Sequence, residues 1–175
     1  MTFPTANQTS PGYPAQRYLD DAGEASAAFH SHDVGHDLEM SPGGTRTSYL
    51  ATGELTGGQF GLYQWDMSAA GGGPSPHFHR TISESFYVTK GAVSLYNGDG
   101  WRTAVAGDFL YVPQGGIHAF RNDSGAPASM LILFTPGAPR EAYFEALAQV
   151  RAEGRTMSPE EEADLLRRHD QFPAT

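Results

Sequence analysis

The stretch from Gly71 to Asn122 constrains this chain more than any other. It opens on Gly71-Gly72-Gly73-Pro74-Ser75-Pro76 and then reads His77-Phe78-His79-Arg80-Thr81-Ile82-Ser83-Glu84, with six residues between Glu84 and Gly91. After a 15-residue interval a second block begins at Gly107 and passes through Pro113-Gln114-Gly115-Gly116 to His118 and Asn122. Chemically the two blocks supply three imidazoles and one carboxylate. Residues i and i+2 of a strand point to one face, so a strand here aims His77 and His79 together. Glu84 lies far enough on to cross a short turn and return on the next strand. His118 comes from a separate strand, set by the tight turn at Pro113–Gly116.

The pattern around these blocks is that of short strands. Residues 45–50 are rich in β-branched and aromatic side chains, and Glu54-Leu55-Thr56-Gly57-Gly58 marks a turn. Residues 60–67 form a further strand whose two faces are both partly apolar, which leaves its inward side open. Glu84, Phe86 and Val88 share parity, so an inward Glu84 brings the other two into the same cavity. Residues 92–96 and 101–105 flank Asn97-Gly98-Asp99-Gly100, a hairpin turn. Residues 109–112 make another strand, His118 and Phe120 share a face, and residues 130–134 are an apolar run. Short strands broken by Gly, Asn and Pro describe a sandwich or barrel rather than alternating strands and helices.

The tail changes period. Tyr143, Phe144, Leu147 and Val150 form an apolar stripe at helical spacing, with Gly154 as the stop. Ser158-Pro159-Glu160-Glu161 is a capping box with proline at the first helical position, and starts a second helix through Leu165, Leu166 and His169. Both helices are expected to pack on the outside of the barrel, with His169 at the surface.

The residues of the two blocks carry a resemblance to the cupin superfamily. Gly71, His77, His79, Glu84 and Gly91 fit its first motif, and Gly107, Pro113, Gly115, His118 and Asn122 fit its second. The resemblance implies an all-β fold with a helical tail: a double-stranded β-helix, or jelly-roll barrel, holding a metal inside. Taken with the pattern along the chain, this gives a flexible or loosely structured arm at residues 1–40, the barrel at 41–136 and a helical extension at 137–175. The resemblance also implies that chains pair as homodimers.

Three neutral imidazoles and a carboxylate suit one divalent first-row ion, and Fe, Ni, Co, Mn and Zn all remain open. Four protein ligands leave two positions for substrate if the ion is octahedral, whereas zinc could close a tetrahedron and make the site structural. Within the superfamily the chain is most similar to small bacterial proteins resembling quercetin 2,3-dioxygenases. That resemblance makes His77, His79, Glu84 and His118 the metal ligands and Glu84 also the catalytic base. It implies a metal-dependent dioxygenase that cleaves a flavonol or a similar enolic or phenolic substrate with dioxygen. The competing readings are a non-oxidative isomerase, lyase or cyclase, and a cupin that only binds a small molecule.

Composition narrows the partners. A formal charge of −9 argues against nucleic acid and against anionic membrane surfaces. No cysteine is present, which removes disulfides and thiolate ligands. With no long apolar run and no signal-like N-terminus, a cytoplasmic protein is the expectation. His30, His32 and His36 fall close together beside Asp33 and Asp37. They suggest a second metal site, but no tight turn signals hold them, and a polar loop is the expected outcome.

Overall fold

The computed structural model describes residues 12–40, 44–69 and 72–174. Gly71, the first glycine of the motif pair, lies outside them. The chain divides into two compact units, residues 1–31 and 32–175. In the first, residues 12–31 run through turns and bends without a helix or strand. Among the described residues no helix is long and apolar enough to cross a membrane.

The second unit begins with a short 3-10 turn at His32–Val34 and a strand, β1, at Leu38–Glu39. There follow β2 (Arg46–Ala51), β3 (Gly61–Met67), β4 (His77–Phe78), β5 (Ser83–Lys90), β6 (Ala92–Tyr96) and β7 (Trp101–Val105). After β8 (Phe109–Val112), β9 (Ala119–Arg121) and β10 (Ala128–Thr135) come two helices, α1 (Glu141–Ala152) and α2 (Pro159–Arg168). A last strand, β11, takes up Phe172–Pro173. The strands form a six-stranded sheet in the order β1-β2-β3-β10-β5-β8, a three-stranded sheet β7-β6-β9 and the pair β11-β4. All the pairings are antiparallel.

Strand periodicity builds the core. In β3 the odd members Tyr63, Trp65 and Met67 are buried while Leu62, Gln64 and Asp66 are only partly so, which settles the face that pattern alone left open. In β10, Ala128, Met130, Ile132 and Phe134 turn inward. The register pairs Ile132 with Tyr63 on one side and with Phe86 on the other, and Phe134 with Glu84. Glu84, Phe86 and Val88 are all buried, as their shared parity requires. Val93, Leu95 and Phe120 of the smaller sheet join the same buried cluster. A fully buried side chain of this size stabilises by about 1.5–3 kcal/mol, so the alternation holds the register against a one-residue slip.

The helical tail follows the sequence closely. Ser158 Oγ accepts from Glu161 N at 3.2 Å and Glu161 Oε2 accepts from Ser158 N at 2.7 Å, completing the capping box. Such a cap is worth about 1 kcal/mol. Gly154, at φ +62°, follows the end of α1. The buried face of the helices is Tyr143, Phe144, Ala148 and Leu165, and it belongs to the barrel's own core cluster. Phe144 meets Trp65 at 5.0 Å and Tyr63 at 5.4 Å between ring centres, both edge-on. The Tyr63 hydroxyl, with its pKa pushed up by burial and then by the neighbouring Glu141 carboxylate, donates to Glu141 Oε1 at 2.5 Å. His169 is half-buried against the Tyr143 ring rather than fully at the surface, at 5.5 Å between centres.

Candidate metal centre

Each candidate ligand is placed by a different piece of backbone. His77 and His118 face one another across an isolated antiparallel bridge, His77 N donating to His118 O at 3.0 Å and His118 N to His77 O at 2.9 Å. His79 follows directly on β4, and Glu84 is the second residue of β5. Gly115 stands at φ +79°, a conformation that favours glycine, and its N–H donates to the His79 carbonyl at 2.7 Å. Gly73 lies so close to the Phe120 carbonyl that an added Cβ would sit 1.7 Å from its oxygen. The entry to β4 therefore tolerates no side chain there.

The four side chains converge, with one ligand atom from each lying within 4.8 Å of every other. All four are nearly closed off, from 0% exposed for His118 to 5% for His77. Glu84 Oε2 stands 3.0 Å from His79 Nε2 and 2.8 Å from His118 Nε2. The opposite ring atoms all turn to backbone carbonyls: His77 Nδ1 to Ser75 O at 2.8 Å, His79 Nδ1 to Asp170 O at 2.6 Å, and His118 Nδ1 to Gly116 O at 2.9 Å.

This pattern tests whether a cation fits. A carbonyl only accepts, so each Nδ1 must carry the proton, and a neutral ring then presents a lone pair at Nε2. Glu84 is likewise acceptor-only when ionised. Four acceptors aimed at one another repel unless a positive charge lies among them. Burial drives His77 toward neutrality, with its pKa lowered to about 3. Burial pushes the Glu84 carboxyl up, but His118 and His79 more than offset it and hold it below the usual carboxylate range. His118 is lowered by burial, yet the Glu84 carboxylate raises it overall. A divalent ion would take the place of the proton that the Glu84 carboxylate favours on His118, and the carbonyl partners behind the rings fix their orientation.

The cluster opens onto a cavity of about 500 Å³ that His77 and Glu84 both line. Its walls come from the barrel through Trp65, Phe120 and Phe134, and from the tail through Arg140, Phe144 and Leu166. The tail thus forms part of the wall, which the apolar stripe did not reveal.

Sequence reasoning missed the part played by the last residues. β11 pairs with β4 in the register Phe172 to Phe78 and Pro173 to His77. Asp170, at φ +53°, offers its carbonyl to His79, while its carboxylate accepts from Arg80 N, Thr81 N and Thr81 Oγ at 2.6–3.1 Å. Arg140 was missed as well, although it left a signal. A cation at a helix start opposes the helix dipole, and Arg140 is the N-cap of α1 without a side-chain capping bond.

The N-terminal histidines behave otherwise. His32 pairs with Asp33 at 2.9 Å, and His36 Nδ1 lies 3.1 Å from Ser48 Oγ and 3.7 Å from Asp66. Among the described residues, neither these two nor His30 belongs to a group of three or more potential ligands. Replacing all three with alanine is expected to leave metal content unchanged, and elemental analysis checks this. Asp170→Ala keeps the carbonyl behind His79 but removes the carboxylate bonds to Arg80 and Thr81 that hold that carbonyl in place, so metal affinity is expected to fall about 10-fold, the low end of the cost of disturbing a partner behind a ligand. Asp170→Asn, which tolerates the same backbone conformation, should recover much of it. A competition titration reads both, and wild-type affinity in Asp170→Ala would show that the Asp170 carboxylate does not position His79.

Comparison with known proteins agrees with this geometry. Residues 65–134 match the Cupin_2 family, described as a cupin domain. That stretch, which holds all four candidate ligands, is a cupin domain. The chain is similar to an RmlC-like cupin from Shewanella frigidimarina, with a TM-score of 0.55 and 18% identity over 66% of this chain and 96% of that one. KdgF from Halomonas sp. gives a TM-score of 0.54 at 18% identity, covering 62% of this chain and 94% of the other. The polyketide cyclase RemF from Streptomyces resistomycificus gives 0.52 at 24%, covering 62% and 78%. At these identities the likeness establishes the fold. No curated protein sequence matches the chain.

Proposed function

We propose that this chain is a metal-dependent enzyme acting on an enolic or phenolic small molecule, with a reaction of the quercetin 2,3-dioxygenase type. In that reaction a flavonol and one dioxygen give a ring-opened product and carbon monoxide. The observation that carries the proposal is that His77 and Glu84 line a cavity large enough for such a substrate. A purely structural metal site gains nothing from such access.

His77, His79, Glu84 and His118 would hold the ion. When bound, it supplies Lewis acidity that lowers the pKa of a coordinated hydroxyl. The chain's own residues do the rest. Both imidazole contacts of Glu84 go to one oxygen, Oε2, so Oε1 is available to accept the substrate's hydroxyl proton. The aromatic walls exclude water and hold a planar substrate against the cluster.

A second reading is an isomerase, lyase or cyclase that uses the same residues without oxygen. Arg140 favours it, because a fixed buried cation stabilises an enolate with no oxidant. Metal analysis followed by a dioxygen-uptake screen of flavonols and other enolic or phenolic substrates separates the two. The dioxygenase reading expects one dioxygen consumed per substrate, and turnover under strict anaerobiosis would replace it with the second.

A further inference from the structure

Two buried donors line the cavity without a partner. Arg140 is 4% exposed, and its guanidinium donates from Nη1 to His169 O at 2.6 Å and from Nη2 to Gln171 Oε1 at 3.1 Å. Its Nε has no acceptor. Trp65 is 6% exposed and its Nε1 has none either. Both residues belong to the cavity wall.

Among the described residues no carboxylate forms an ion pair with Arg140, and Glu84 and Asp170 act on its charge only from a distance. Both of its hydrogen-bond partners are neutral, and the rings of Tyr143, Phe134 and Phe144 lie 4.5–5.7 Å from its guanidinium carbon. Glu84 shares the cavity, but its Oε2 is already engaged by His79 and His118. The start of α1 adds its own positive potential at the same place. A buried cation without an anion in contact is costly, and a buried donor without an acceptor is costly too. One ligand relieves both.

We infer that the cavity takes a ligand bearing an oxyanion on an apolar body, with Arg140 and Trp65 as its recognition donors. This rests on the proposed function only in supposing that the same ligand reaches the metal centre. It deepens that reading by specifying a substrate that is already anionic, and it makes Arg140 a specificity-determining residue.

Salicylate and salicylamide test the inference, since they share a shape and a phenolic hydroxyl but differ in the anionic group. Calorimetric titration of the metal-loaded and metal-free protein should show salicylate binding about 10- to 100-fold tighter in both, as a charge-assisted hydrogen bond implies. Arg140→Met should abolish that preference while leaving salicylamide affinity within about twofold, and Arg140→Lys should restore part of it. Equal affinities in wild type, no binding of either probe, or a preference that survives Arg140→Met would each overturn the inference. The wild-type comparison decides even if Arg140→Met fails to fold after losing its bonds to His169 and Gln171. Metal content and dioxygen uptake, measured on the same wild-type samples, judge the proposed function separately. A protein that takes up oxygen without preferring salicylate refutes only the oxyanion site. One that prefers salicylate but binds no metal refutes only the metal enzyme.

Discussion

Replacing His77 and His118 together with alanine is expected to abolish metal binding. Both residues present Nε2 to the shared centre, and both are fixed from behind, by Ser75 O and Gly116 O. Their removal leaves only His79 and Glu84, a pair too few to hold a first-row ion against water. The bridge that joins the two positions runs through backbone N–H and C=O groups, which alanine keeps. The variant should therefore retain the barrel, and the loss reports on ligands rather than on folding. Elemental analysis with a circular dichroism spectrum on the same sample checks this. A folded double variant as metal-loaded as wild type would remove the centre from consideration.

The second large effect concerns Glu84. As a ligand only, its carboxylate adds one bond beside three imidazoles, and Glu84→Gln should keep much of the turnover once metal is saturating. As a base it must take the substrate proton, which an amide does not do at any metal concentration. General-base assistance is worth about 10²–10⁴-fold, and a loss of that size is expected in the fully metallated variant. Metal occupancy must be measured alongside turnover, because the glutamine also removes the negative charge facing His79 and His118. Near-wild-type turnover at full occupancy would leave Glu84 as a ligand alone.

Both experiments rest on positions legible in the amino-acid sequence. The spacing His77-x-His79, the step to Glu84 and the turn before His118 are short-range quantities set by strand pleat and turn geometry. Parity likewise places Phe86 and Val88 beside Glu84, and the capping box at Ser158 locates α2 to the residue. Where a segment is apolar on both faces, as in residues 60–67, pattern cannot choose, and only packing against β10 and α1 turns Tyr63 and Trp65 inward.

The sequence by itself determined the candidate ligands, the strand-and-turn rhythm of the barrel and the two helices, because each depends on neighbours a few residues apart. Only the tertiary structure decided what surrounds the ligands. Asp170 reaches His79 across 91 positions, and Arg140 enters the cavity from the start of a helix whose stripe announced nothing but packing. Contacts of that kind depend on where the chain returns in space. A residue read along the sequence looks the same whether its carbonyl ends in water or against a buried imidazole, and only the return of the chain makes the difference.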